Sequence, residues 1–221
     1  MLIGIGIHGW THMPVQVYYN HLAAGMSWMK WGLAEGHQFA ISTVGHSVVA
    51  KARERIVDDL IKLGCDLWLS LDTDHLIPMD LLQRLLELFP GPAMASALIT
   101  KRLFPYDTVA FKYALTEPKK LVGVYVPRQS GVHEVDGCAM GCTLIDLKKL
   151  AALPKPWFQD TELGRSDLNL CAAFRATGER ILVHSDVEAA HLGDPLLVTP
   201  ELAESLRAKA ITVSMERSSA C

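Results

Sequence analysis

Asp72 and Asp74 stand one residue apart in the run LSLDTDHLIP. Along an extended backbone alternate side chains leave from the same side, so both carboxylates can approach one cation. The pair is hard, anionic and rich in oxygen. Such donors suit Mn²⁺ or Mg²⁺, which keep coordination positions open for water and for substrate phosphates. Metal-assisted handling of a phosphorylated substrate is the chemistry to expect. The same triplet also has the composition of a polar turn capping the next helix, and alone it does not separate the two readings. Its position narrows the choice: the apolar run DLWLSL, residues 66–71, leads straight into it. In open α/β sheets, ligands bind at the C-terminal ends of strands.

The elements that must hold this pair are visible as changes of hydrophobic period. Leu2 to His8 predicts a first strand, Val15 to Gly32 a helix closed by a turn at Gly36, and Phe39 to Thr43 a second strand. Val48, Val49, Ala52, Ile56, Leu60 and Leu63 recur at intervals of three and four and predict a helix stopped by Gly64. Asp66 to Leu71 is a third strand, and Pro78 opens a helix through Leu88. Alternation of strand and helix requires crossover connections, which predicts an α/β layer around a mainly parallel sheet.

The second half is less regular. Met94 to Thr100, Val109 to Tyr113, Leu121 to Val126, Val132 to Asp136 and Cys142 to Asp146 read as strands. A helix from Asp167 to Thr177 stops at Gly178 and leads to a strand from Arg180 to His184 and then to the segment Glu188 to Gly193. The stretch from Pro200 reads as helical and then frays. The whole, 1–221, is expected to be one domain, with a nucleotide-binding half over about 1–100 and an acceptor and closing half over about 101–200.

Composition excludes several classes. Half of the 221 residues are hydrophobic, enough for a continuous core, and 21 basic against 24 acidic side chains create no field that would draw nucleic acid. No apolar run is long enough for a membrane span, and the N-terminal MLIGIGIHGW lacks the positive flank of a signal peptide. Five scattered cysteines fit reduced thiols, so a soluble cytoplasmic chain is expected. Trp28, Trp31 and Trp68 are expected in or beside the core.

Four segments carry a resemblance. Residues 50–86, AKARERIVDDLIKLGCDLWLSLDTDHLIPMDLLQRLL, place an Arg-bearing helix before a strand that ends in Asp-X-Asp. Residues 136–146 read DGCAMGCTLID, and Pro156, Trp157 and Phe158 follow. Residues 167–193, DLNLCAAFRATGERILVHSDVEAAHLG, run from an acid at a helix start through a Gly to a histidine. Together they resemble the GT-A glycosyltransferases, especially the short family 2-like branch, over most of the chain. The resemblance implies a GT-A-type nucleotide-diphospho-sugar transferase fold, with a Rossmann-like mixed sheet flanked by helices. It also implies metal-dependent, inverting transfer of a sugar from a nucleotide-diphosphate donor to a glycan, lipid or small-molecule acceptor.

By that resemblance Asp72, Asp74 and His191 form the metal site, with Asp74 binding directly, Asp72 on the ribose or the metal shell and His191 completing the ligands, and an imidazole ligand tilts the choice towards Mn²⁺. Asp72, Arg53, His8, Gly137 and Gly141 bind the donor, with His8 to His12 lining the base pocket. Asp167 is the general base, with Asp160 or Glu162 as substitutes. The family has Glu-Asp where this chain has Ser166-Asp167, so one carboxylate is missing. Other readings stand beside these. Arg53 shares its helix with Lys51, Glu54 and Arg55 and equally suits a solvated face. Asp167 suits a helix N-terminus without catalytic duty. Gly137 and Gly141 suit turns. His75 is expected on the far side of the extended Asp72–His75 segment, behind the ligands.

Two alternatives accompany the transferase. A nucleotidyltransferase would open with a basic Gly-rich loop, but GIGIHGWTHMP has no Lys or Arg before Lys30. A binding module for nucleotide-sugar or glycan, with the fold but without turnover, would accommodate Ser166.

Overall fold

LIGIGIHG forms β1 (Leu2–Gly9), second from one edge of the main sheet. Two strands flank it in parallel, β2 (Gln38–Gly45) and β3 (Leu67–Asp72), with Ile5 opposite Ile41 on one side and Leu69 on the other. The crossovers that parallel pairing demands are α1 (Val15–Ala34) and α2 (Val49–Lys62). Glycine in β1 is a packing requirement. A Cβ on Gly4 would lie 2.6 Å from Leu60 Cδ1, and one on Gly6 would run into Trp68 and Ile56, so α2 could not seat.

This computed structural model describes residues 1–9, 13–103, 106–113, 121–123, 131–161, 165–192, 197–202, 204, 205 and 208. After β3 come β4 (His75–Leu76), α3 (Leu81–Leu86) and β5 (Met94–Ile99). Then follow β6 (Ala110–Tyr113), β7 (Leu121–Gly123), β8 (Val132–Val135), β9 (Gly137–Cys138) and β10 (Cys142–Asp146). The chain continues through α4 (Leu147–Ala151), α5 (Ser166–Ala176), β11 (Ile181–Leu192) and β12 (Leu197–Val198). The main sheet runs β12-β11-β5-β10-β3-β1-β2, with β4 and β8 also paired to β11, and β7-β6-β9 forms a small second sheet.

Both faces of the main sheet are covered, which explains why β3 reads as an unbroken apolar run. Leu67, Leu69 and Leu71 join Trp28 of α1 and Leu81, Leu82 and Leu85 of α3 in one core. Trp68 turns to the other face, with Ile56 and Leu60 of α2, Phe158 and Phe174 of α5. Trp28 and Trp68 are buried, as expected, and Trp31 packs part-buried on the α1 side. Among the described residues no helix is long and apolar enough to cross a membrane.

Three differences from the predicted elements matter for the site. The strand predicted to end at His184 and the segment Glu188 to Gly193 are joined in β11, where a register shift between His184 and Glu188 absorbs the polar residues between them; Gly193 lies outside the described residues. α3 covers six residues, fewer than Pro78 to Leu88. α4 was hidden because five residues are too few for a periodic signal; Asp146 caps it by accepting from the Lys149 amide at 3.0 Å. β5 and β11 are parallel, while β10 runs antiparallel between β5 and β3. The C-terminal ends of β1, β3, β5 and β11 therefore meet the start of β10 at one edge.

Candidate functional site

At that edge Thr73 and Asp74 form a tight turn between β3 and β4, so the chain is not extended from Asp72 to His75. The two carboxylates take different partners. Asp72 Oδ1 lies 3.1 Å from His8 Nε2 and 3.3 Å from Arg53 Nη2. Asp74 Oδ1 lies 2.9 Å from His75 Nδ1, while its Oδ2 accepts from His191 Nε2 at 3.1 Å and from Arg102 Nη1 at 3.2 Å.

The expectation that His75 faces away is corrected by the same turn. Antiparallel pairing of β4 with β11 sets His75 opposite His191, and cross-strand partners share a face. Their rings stack with centroids 4.3 Å apart and planes 25° apart. The ligand atoms of Asp74, His75 and His191 all fall within 4.8 Å of one another. Asp74 and His191 thus come together, joined by His75, and Asp72 stands beside them on its own partners, Arg53 and His8.

This donor set fits a divalent metal. Carbonyl and carboxylate only accept, so His191 donates from Nδ1 to the Thr100 oxygen at 3.0 Å and, as an imidazolium, from Nε2 to Asp74; a metal would take the place of the Nε2 proton. Tethering of the remote ring nitrogen to a backbone carbonyl is the usual support of a metal-ligating histidine. Both nitrogens of His75 and Oδ1 of Asp74 are buried without an aligned hydrogen-bond partner, the 2.9 Å approach between them being off-axis. Buried polar atoms left in this state are costly, and a cation between Asp74 Oδ1 and one ring nitrogen of His75 would satisfy that pair. His21, on α1, holds β4 in place through Nε2 and the His75 carbonyl at 3.0 Å.

Charge states follow from the same contacts. Burial works to raise the Asp74 carboxyl, but the hydrogen bond from His191 and the close approach of His75 hold it far below the usual carboxylate range. Burial likewise opposes ionisation of Asp72 and is outweighed by Arg53 and His8. His191 moves upward: burial lowers it, and the hydrogen bond to Asp74 more than compensates. His8 moves downward through burial despite the attraction of Asp72, so it is a neutral donor to that carboxylate.

Arg53 is only 4% exposed, which removes the solvated-face reading; Lys51 and Arg55 carry that face. Gly141 belongs to the site. Its carbonyl accepts from the Asp72 amide at 2.9 Å, and an added Cβ would lie 2.8 Å from His75 Cε1 and 3.1 Å from Asp72 Oδ2. Gly137 sits on β9 opposite Phe111 in the small sheet. Asp167 occupies the first turn of α5, half-buried. Burial raises its carboxyl, with Arg53 pulling it down and Asp72 pushing it up, so it shares the field of that pair. Asp160 is spent on structure, accepting from the Ser166 amide at 2.9 Å at the start of α5. Trp10, Thr11, His12 and Glu162 lie outside the described residues.

Three participants were missed in the sequence. His75 was misplaced by the assumption of extended backbone, and Arg102 sits in an irregular stretch without a motif. Glu54, read with the helix surface, accepts from the Trp157 and Phe158 amides at 3.2 and 3.3 Å and so anchors the Pro-Trp-Phe element to α2.

No protein-family model matches the sequence, and no curated protein matches it. Solved structures do share its fold. The chain is similar to A197 from STIV at TM-score 0.61 and 18% identity, over 91% of each chain. It is similar to GalNAc-T7 crystallised with UDP, GalNAc and Mn²⁺ at TM-score 0.50 and 10% identity, over 85% of this chain and 43% of that one. Apo-UDP-glucose pyrophosphorylase aligns over 97% of this chain and 99% of that one, at 10% identity and TM-score 0.49. The chain therefore has a mixed α/β fold with a central sheet flanked by helices, and solved structures that share it include the GT-A transferase GalNAc-T7.

Proposed function

We propose that this chain is a metal-dependent glycosyltransferase that takes a sugar from a nucleotide-diphosphate donor, with Asp74, His75 and His191 holding Mn²⁺ or Mg²⁺. The observation that carries the reading is the cluster of unpartnered buried donors on His75 and Asp74 beside a His191 tethered through Nδ1. A divalent ion supplies charge neutralisation for the diphosphate that leaves when the anomeric carbon–oxygen bond breaks. Asp72, kept ionised by Arg53 and His8, faces the same space and suits donor hydroxyl groups. Gly141 leaves room there for the approach of donor and imidazole.

Asp167 is the general base: as the acceptor oxygen bonds to the anomeric carbon, its carboxylate takes the acceptor proton. A pKa raised by burial suits that work, because it makes the carboxylate a stronger base. Inversion follows from a single displacement of this kind. The acceptor, a glycan, lipid or small molecule, enters from the side of α5.

The test is thermal stability of the wild type and Asp74→Ala against UDP, GDP, CDP and dTDP, each with and without Mn²⁺, since a ligand of the native state raises apparent stability. One nucleotide should shift the wild type only with Mn²⁺ and leave the variant unmoved. A shift indifferent to Mn²⁺ and to Asp74 would sink the reading. A binding module without turnover remains the second reading, favoured by Ser166 in place of an acid; release of nucleoside diphosphate that depends on Asp167 dismisses it.

A further inference from the structure

One cation at the cluster has no part in the roles above. Arg102 Nη1 lies 3.2 Å from Asp74 Oδ2, the oxygen that His191 also reaches. The Arg102 side chain is 55% exposed, and an ion pair so open to water and salt is weakly held. Its stem is ordered. Thr100 bridges Thr108, the Lys101 amide donates to the Asp107 carbonyl at 2.9 Å, and the Tyr106 amide donates to the Leu103 carbonyl at 2.9 Å. Thr100 is also the residue whose carbonyl tethers His191. A long cationic arm on a fixed turn, loosely attached to one metal-ligating carboxylate, is built to change partner.

We infer that Arg102 is the resident counter-cation of Asp74 and the diphosphate-binding arm of the same site, an inference that rests on the metal-dependent donor reading. Without metal the guanidinium neutralises Asp74. A divalent ion beside Asp74, His75 and His191 removes that attraction and repels the arm. The released guanidinium then meets the diphosphate oxygens, whose geometry its planar fork matches with two parallel hydrogen bonds. Arg53 is unsuited to this exchange, being buried and paired with Asp72. Lys101 is paired with Asp107 at 3.3 Å.

Two effects of opposite sign follow from removing the arm, and a surface contact without function would produce neither. Calorimetric titration of Mn²⁺ alone into wild type, Arg102→Ala and Arg102→Lys measures the first. Titration of UDP, GDP, CDP and dTDP into each Mn²⁺-saturated protein measures the second. Arg102→Ala should bind Mn²⁺ more tightly, by about fivefold or less, because a competitor is gone. It should bind the responding diphosphate about tenfold or more weakly. Arg102→Lys should match the wild type for Mn²⁺ and fall between the two for the diphosphate. Unchanged or weaker Mn²⁺ binding by Arg102→Ala, or unchanged diphosphate binding, overturns the inference while the wild type still shows a metal-dependent donor site. A wild type that binds neither Mn²⁺ nor any diphosphate brings down the donor-site reading itself.

Discussion

At the N-terminal edge of the parallel strands a cavity of about 580 Å³ opens among Ile61, Cys65, Leu67, Leu86, Phe89 and Leu147, whereas the opposite edge gathers Asp72, Asp74, His75 and His191. Two carboxylates at the cavity are already used, Asp66 accepting from the Leu2 amide at 2.7 Å and Asp146 capping α4, while His37 Nδ1 on the same lining is a single buried atom without a partner. At the C-terminal edge the carboxylates meet imidazole and guanidinium groups, and both nitrogens of His75 have no aligned partner. A concave space marks where the layers fail to close. Several unsatisfied buried ligand atoms gathered around one carboxylate are the better guide to candidate chemistry in this molecule.

The strongest way to break the contrast is Asp74→Ala, which should abolish Mn²⁺ binding by calorimetry, a loss beyond the roughly 10- to 100-fold typical of changes outside the ligand set. Retained affinity would move the metal elsewhere. Asp167→Asn comes next, with sugar transfer expected to fall about 10²- to 10⁴-fold while Mn²⁺ and nucleotide still bind. Its stability sharpens the assignment. Because the folded-state pKa of Asp167 is raised, the native state holds its proton longer than the unfolded chain, whose carboxyl titrates near about 3.9. Wild-type stability therefore drops as pH rises from that value through the folded pKa, and Asn removes the drop; denaturant titrations across acidic and neutral pH should show the variant gaining relative stability as pH rises.

A smaller effect is expected from Gly141→Ala, whose Cβ would press on His75 Cε1 and Asp72 Oδ2. Overpacking there should cost about 1–3 kcal/mol in unfolding measurements and weaken Mn²⁺ in proportion to the displacement of His75. Least of all should follow from filling the other edge. Ala151→Trp, at the mouth of the 580 Å³ cavity, should leave Mn²⁺ and nucleotide affinities unchanged within error. Loss of donor binding in that variant would reverse the comparison between the edges.

Much of the scaffold was legible in the chain. The spacing of Ala52, Ile56 and Leu60 marked the buried face of α2, and the same spacing carried Arg53 inward to Asp72, which a reading of its charged neighbours left undecided. DLWLSL marked a strand covered on both faces. The pair Asp72 and Asp74 was legible as acid placed at a strand end, with different duties implied by the resemblance, but the separate partners of the two were not, since a two-residue turn is too short to alter a hydrophobic period. β11 was split in expectation because a bulge interrupts alternation without ending the strand.

Residue types and local periods, which depend on neighbours a few positions apart, determined by themselves that this chain forms alternating strands and helices and that carboxylates cluster where β3 ends. Tertiary structure alone decided which groups share a ligand. His191 reaches Asp74 across 117 residues because β11 lies beside β5 and also pairs with β4, and that adjacency comes from sheet closure and core packing. Nothing in the sequence near His75 or Arg102 encodes these distant partners. Hydrogen bonding between remote strand edges sets them within reach of one carboxylate.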